Sequence, residues 1–479
     1  MKKTLLFVVL VVATFGSKAQ TTLRKNFQNP PKSAKPVVWW HWVGSNVTRE
    51  GITKDLEWMQ RVGIGGFQAF DVSIGGGQTV EKKVKFMTPE WLELIKHTAA
   101  EADRLGLEMT MVTAAGWSET GGTWVKSQEA MKKIVWSKTQ LHGGEKLTNT
   151  LPLPPTVAGP IRNLPKGASF GGNNNKTEPF YQDQIVLAYK TPEAEQTVAT
   201  PKITNHKGEN VESNALLDDD LTSKITLETP RQDEPVYLQF EYDKPFTARS
   251  FSLALGGGAM FPSRTMRAGY VQYSEDGKNY KVLLALPGPQ HDIRALPVRT
   301  FSFPEVTAKY YRVVFVKGAT MTTVGGPDDV GGFGGPTTAP KSFVIAESIF
   351  NSGARVHRWE DKAAFAPMFA FESLKTPTVG LKEVIKSEDV IDITAFMQPD
   401  GTLNWTAPAS SNGWTILRIG QSQTGAKNGP AMPEATGYEV DKFNKTHLLS
   451  HLNQWSNPIA EAMGPLYGKS MKYFLVDSY

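Results

Sequence analysis

Pro36-Val37-Val38-Trp39-Trp40-His41-Trp42 begins as an apolar strand and ends in three tryptophans and a histidine. A core strand rarely needs such an end, because tryptophan is large and its indole N–H requires a partner. Aromatic faces beside a few polar groups suit a small-molecule site, and a sugar ring above all, whose C–H faces lie flat on an indole. A strand docked on a neighbouring sheet is the plainer reading of the same residues. The sequence on either side decides between them.

Outward from Trp42, Thr48 is placed to cap a helix with Glu50 in its first turn. Ile52, Leu56 and Met59 then recur on one helical face, and Gly63 ends the run. Ile64 to Asp71 reads as a second buried strand, followed by Gly75-Gly76-Gly77. Thr88-Pro89 opens another helix, with proline at its first position. Leu92, Ile95, Ala99 and Ala102 form its apolar face, Gly106 closes it, and Leu107 to Thr113 is a third strand. This βαβαβ rhythm predicts parallel strands joined by right-handed crossovers.

A doubly wound nucleotide fold shares that rhythm. Gly63-Ile64-Gly65-Gly66 imitates its phosphate loop, but it precedes a strand, and Gln68 stands where the third glycine belongs. No Gly-x-Ser-x-Gly nucleophile elbow occurs either. A (β/α)8 barrel fits better, since its chemistry gathers at the C-terminal strand ends. The unusual residues fall there: His41 and Trp42, Asp71, then Thr113-Ala114-Ala115-Gly116-Trp117-Ser118, continuing through Gly121-Gly122 to Trp124.

The period changes near residue 200. Val236 to Phe240, Phe251 to Leu255, Tyr270 to Ser274 and Tyr310 to Phe315 are short alternating segments separated by turns, the grammar of a β-sandwich. The run Leu217-Asp218-Asp219-Asp220-Leu221-Thr222, with Ser274-Glu275-Asp276-Gly277 and Lys309-Tyr310-Tyr311-Arg312-Val313, resembles discoidin-like, galactose-binding-type modules. Such modules bind sugar or calcium near the acidic turn, or serve as structural inserts. The expected organisation is a signal peptide over 1–19, the first part of a catalytic barrel over 20–199, and an inserted β-sandwich over 200–320. A Gly/Pro-rich loop over 321–342 follows, and 343–479 is a β-rich connection that returns to the barrel.

Lys2 and Lys3, the apolar run Leu5 to Val12 and the small-x-small site Ser17-Lys18-Ala19 read as an export signal cleaved before Gln20. The apolar run is too short to span a membrane. Removing that segment lowers the net charge from +5 to +2, which is no footprint for nucleic acid. The chain has no cysteine, which excludes disulfides and a cysteine lipid anchor. A periplasmic or secreted protein without membrane insertion is expected.

Taken together, several segments resemble the N-terminal part of glycoside hydrolase family 106, the α-L-rhamnosidases. They are Val38-Trp39-Trp40-His41-Trp42, Val47 to Ile52, Gly63-Ile64-Gly65-Gly66, Phe86-Met87-Thr88-Pro89-Glu90-Trp91 and Ala115-Gly116-Trp117-Ser118. Arg418-Ile419-Gly420, Glu434 to Lys442 and Asp477-Ser478-Tyr479 complete the pattern. Thr113-Ala114 departs from it, where Asn-Cys-type polar residues are expected. The resemblance implies a partial (β/α)8 barrel with β insertions, calcium dependence, an oligosaccharide or polysaccharide substrate, and inversion at the anomeric carbon. Inversion needs a general acid and a general base roughly 6.5–9.5 Å apart with room for a water.

Asp71, Glu119, Glu434, Glu439, Asp441 and Asp477 stand at or after strand ends, though a solvated loop carboxylate is the commoner role for any one of them. Glu439 is taken as a catalytic carboxylate. In the resembled family a second one follows the Asp-Ser-Tyr strand, a position beyond Tyr479, so the chain reads as an N-terminal fragment with little activity of its own. Trp40, His41, Trp42, Asp71, Trp117, Trp124 and Asp477 are expected to bind substrate in one cleft. No residue pattern here names the calcium ligands, and the eight histidines show no zinc-type pairing. A non-catalytic carbohydrate-binding protein, or a glycosidase of other specificity on a related barrel, would use the same aromatic strand ends.

Overall fold

Strand β1 (Val37–Val43) pairs in parallel with β2 (Gly66–Val72), from Val37 opposite Gly66 to Val43 opposite Val72. This is a computed structural model, and it describes residues 22–75, 77–147, 149–154, 180–196, 199–218, 220–221, 223–228, 236–255, 267–287, 298–316, 342–363 and 375–477. The expected leader at 1–19 lies outside these residues, as does the Gly/Pro-rich loop but for Ser342. The described residues form two units, one of residues 22–131 with 427–477 and the other of residues 132–426.

In the first unit, helix α1 (Arg49–Arg61) joins β1 to β2. The Thr48 side chain accepts a hydrogen bond from the Gly51 amide, and Ile52, Leu56 and Met59 are buried. Helix α2 (Pro89–Leu105) follows, capped by Thr48's counterpart Thr88 and closed by Gly106 at φ 69°, a left-handed conformation that suits glycine. Its buried face is Trp91, Leu94, Ile95, Thr98, Ala99 and Ala102. Leu92 is only partly covered, so the true stripe lies a little round the helix from the expected one and has Trp91 as its largest member. Strand β3 (Glu108–Val112) then pairs in parallel with β2. Gly66 permits that pairing, since a Cβ there would lie 2.5 Å from the Glu108 carbonyl oxygen.

The second unit begins at Lys132, earlier than the change of period suggests. Its strands are β4 (Lys132–Leu141), β5 (Tyr181–Lys190), β6 (Lys202–Asn205), β7 (Ile225–Glu228) and β8 (Val236–Leu255). They continue as β9 (Arg267–Ser274), β10 (Lys281–Pro287), β11 (Val298–Phe315), β12 (Ser342–Asn351), β13 (Ile391–Asp392) and β14 (Trp414–Gln423). One antiparallel sheet has the order β10-β9-β11-β8-β12-β7, with β6 also on β8. Alternation along β8 and β11 turns Leu238, Phe240, Phe251, Tyr311, Val313 and Phe315 into its core. A smaller antiparallel sheet, β13-β5-β14-β4, buries Val186, Ala188, Trp414 and Ile416. On it the Arg418 guanidinium holds both oxygens of Asp183 at 2.8 Å, a fork-to-fork pair.

The first unit resumes at residue 427. Helix α3 (Lys445–Met463) starts at Asn444, whose side chain accepts from the Thr446 and His447 amides. Strand β15 (Met471–Leu475) pairs in parallel with β3, completing the order β1-β2-β3-β15. All four C-terminal ends therefore lie on one edge. Trp40, Trp42, Phe67, Ala69, Met109 and Met111 join one core with α1, α2 and α3. Val43, Phe70, Val72, Val112 and Leu475 form a second cluster. The chain is thus mixed α/β, a parallel sheet with helices in one unit and antiparallel sheets in the other.

Candidate functional site

Period-two alternation divides the aromatic end of β1 between the two clusters. Trp40 and Trp42 are buried with the helices and meet edge to face at 5.7 Å. Trp40 Nε1 donates to Asp55 on α1 at 3.0 Å. Their neighbours behave differently. Trp39 is 61% exposed. The half-buried His41 ring stacks on Phe70 at 4.9 Å and accepts the Trp117 Nε1–H on its Nε2 at 3.0 Å. Burial holds the His41 pKa below the usual histidine value, so the ring is neutral and its proton sits on Nδ1. The expected single aromatic platform is therefore two groups, one supporting and one open.

Asp71, the residue before the last of β2, lies within the helix-side group. Its Oδ2 accepts the Trp91 indole N–H at 3.0 Å, while Oδ1 has no hydrogen-bond partner among the described residues. A cavity of about 20 Å³ opens beside it, lined by Trp42, Trp91 and Trp455 among others, with room for one water. Burial pushes the Asp71 pKa up to about 7; the Trp91 hydrogen bond opposes this and Glu434 adds to it. A carboxyl that keeps its proton near neutrality can donate one.

The end of β3 runs into a loop stitched to the segment before α3. The Gly116 amide donates to the Asp71 carbonyl at 2.7 Å and the Trp117 amide to the Gly429 carbonyl at 3.1 Å. Buried Asn428 donates to the Ala115 and Ala435 carbonyls and accepts from the Gly437 amide. Thr113 Oγ1 donates to the Glu119 carbonyl at 2.6 Å, and its amide to the Leu475 carbonyl of β15. On this scaffold Lys442 Nζ lies 2.7 Å from Glu439 Oε2 and 3.3 Å from Glu119 Oε2. Trp124 Nε1 donates to His451 Nδ1 at 3.1 Å. His451, buried in α3, has its pKa lowered to about 4 by burial, with the field of Lys442 acting in the same direction. Asp477 stands two residues past β15, partly exposed.

The parallel sheet thus brings the ends carrying Trp42, Asp71, Thr113 and Asp477 to one edge, and the loop adds Trp117, Glu119 and Trp124. Sequence reading passed over Asn428 and His451, and quoted Trp91 and Lys442 in its family motifs without giving either a role. Trp91 could have been found from its place three residues after a cap, on the buried face. Nothing local marks Asn428 or His451, and Lys442 joins a neighbour, Glu439, to the distant Glu119. Among the described residues no three Asp, Glu, His or Cys side chains gather where a metal ion could be held.

Aromatic faces, neutral imidazoles and carboxyl groups at parallel strand ends are the materials of carbohydrate chemistry. The chain belongs to glycoside hydrolase family 106, described as alpha-L-rhamnosidase, whose model matches residues 28–479. The rhamnosidase from Novosphingobium sp. PP1Y superimposes with a TM-score of 0.77 at 33% identity, over 95% of this chain and 39% of that one. A Formosa agariphila protein provisionally named a beta-glucuronidase is 35% identical over 187 residues, which is 38% of this chain and 14% of its own. The chain therefore spans well under half the length of either protein.

Proposed function

We propose that this chain carries strand-end elements of an exported, inverting, calcium-dependent α-L-rhamnosidase acting on plant or bacterial glycans. The observation that carries the reading is the family match over residues 28–479, which contains every strand-end residue discussed above. In this reading β1, β2, β3 and β15 belong to a (β/α)8 barrel, and the antiparallel sheet over β6 to β12 is a discoidin-like sandwich inserted into it.

His41, Trp117, Trp124 and Asp477 contact the sugar. Trp40, Trp42 and Asp71 support them from the helix side. Glu439 serves as one of the two carboxylates that inversion requires. Calcium rests on the family alone. The described residues supply no three-carboxylate cage, so no ligand is assigned and no step is derived through it.

The test, made on a longer enzyme form that contains residues 28–479, is release of L-rhamnose from an aryl α-L-rhamnoside, with and without a chelator, and with an aryl β-glucuronide in parallel. Rhamnose released as the inverted anomer, lost on chelation and restored by calcium, is the expected result. The Formosa relative favours a glycosidase of other specificity as the second reading. Cleavage of the glucuronide alone would establish it. Saccharide binding with cleavage of neither would point to a binding protein.

A further inference from the structure

A row of polar side chains crosses the outer side of the larger antiparallel sheet. Leu238, Phe240, Tyr311 and Val313 point into its core, so Gln239 and Arg312 between them point away from it. The register sets Gln272 of β9 opposite Arg312 of β11, Arg312 opposite Gln239 of β8, and Gln239 opposite Thr204 of β6. Residues directly opposite share a face. Each of these side chains is partly exposed.

Arg312 is the centre of the row. Its guanidinium carbon lies over the Tyr280 ring at 3.8 Å from the ring centre, and over the Tyr237 ring at 4.3 Å. Both are cation–π contacts. Gln239 Oε1 accepts from Arg312 Nε at 3.1 Å, from Nη2 at 2.9 Å and from the Tyr280 hydroxyl at 3.0 Å. Rings and amide together hold the guanidinium in one orientation.

A guanidinium offers a fork along Nε and Nη2, and another at its far end between Nη2 and Nη1. Gln239 fills the first. The second has no partner among the described residues, and Nη1 is open to solvent. No carboxylate pairs with Arg312 among those residues. Glu241, one row along, lies 3.6 Å from Lys309 and accepts from the Tyr310 hydroxyl at 3.3 Å. Asp276, in the turn before Tyr280, accepts from Ser274 and Asn279. The free fork fits two oxygens of one carboxylate or sulfate. Because the side chain is already ordered, an anion arriving there does not have to immobilise it. The Gln239 and Gln272 amides beside it suit hydroxyl groups.

We propose that this face binds an acidic saccharide, Arg312 taking its carboxylate or sulfate group and Gln239 and Gln272 its hydroxyls. The site uses none of the strand-end residues and none of the acidic run at 218–220. It stands whatever reaction the strand ends perform.

The test is titration calorimetry of the full chain at low salt. The probes are trigalacturonate, its neutral methyl ester, a sulfated galactan trisaccharide and a hexaglutamate peptide. At least one acidic saccharide should bind about tenfold or more tightly than the ester, and the tighter of the two identifies the anion. Arg312→Lys keeps the charge and removes the fork, and should weaken that binding by about 10–100-fold. Lys281→Gln, at an exposed cation on β10, should change it less than about threefold. Urea midpoints show that the variants are folded. The comparison of acid with ester needs no variant, so it holds even if Arg312→Lys does not fold. Equal affinity for acid and ester, or no binding of either acidic saccharide, would overturn the proposal. So would native affinity in Arg312→Lys, which would place the saccharide elsewhere, or an equal loss in Lys281→Gln, which would mean diffuse charge attraction. Tighter binding of the peptide would replace the saccharide with an acidic protein segment and overturn it too.

Discussion

Asp71 shows how one buried group ties stability to pH. Its folded pKa of about 7 lies above the usual unfolded value of about 3.9. The folded state therefore binds the proton more tightly, and stability falls as pH rises from about 4 to about 7. Across that interval the loss is about 1.4 kcal/mol for each pH unit. Asp71→Asn keeps an acceptor for the Trp91 indole and removes the titration. It should flatten this decline and exceed native stability at pH 8 by on the order of 2–4 kcal/mol, read from denaturant midpoints at pH 5.5 and pH 8. The same pH dependence in both proteins would contradict the assignment. At the open face, Trp117→Phe removes the N–H that His41 Nε2 accepts. A cost of about 1 kcal/mol is expected, together with weaker saccharide binding by titration calorimetry. Unchanged binding would remove Trp117 from the substrate contacts.

At the scale of elements, caps and loop crossings are the points where a small change is felt. Asn444 satisfies two amides at the start of α3, and Asn444→Ala should cost about 1 kcal/mol in thermal unfolding. Gly116 is a different case. It sits at φ 88°, and a Cβ there would come 2.5 Å from the Gly429 backbone. Gly116→Ala therefore combines strain with a backbone clash in the loop that carries Trp117 and Glu119. A loss on the order of 3 kcal/mol is expected, with a matching fall in saccharide affinity. A loss no larger than that of Gly106→Ala would show that the loop yields; Gly106 is also left-handed but has open space around it.

For the whole molecule, export is testable without the structure. Protein recovered from the periplasm or medium should begin at Gln20 by mass spectrometry, and recovery with Met1 intact would rule the leader out. Among the described residues no helix is long and apolar enough to cross a membrane. Family membership covers residues 28–479, across both units, so the antiparallel sheets belong to the family pattern as much as the parallel strands do.

The sequence by itself determined the local elements of the first unit. Thr48, Thr88, Gly63 and Gly106 bracket two helices because capping and left-handed turns depend on neighbouring residues alone. The spacing of Ile52, Leu56 and Met59 named a buried face for the same reason. Even the family was legible, since its motifs recur in order along the chain. Tertiary structure decided which residues face each other. It put Trp42 and Asp71 on the helix side and His41 with Trp117 on the other, a division that follows from the pleat once the helices are docked. It also joined Glu119 to Lys442 and Trp124 to His451. Those pairs depend on β15 lying beside β3 and on the segment before α3 lying against the loop after β3. No spacing along the chain encodes such a contact, because it forms only when distant segments share one core.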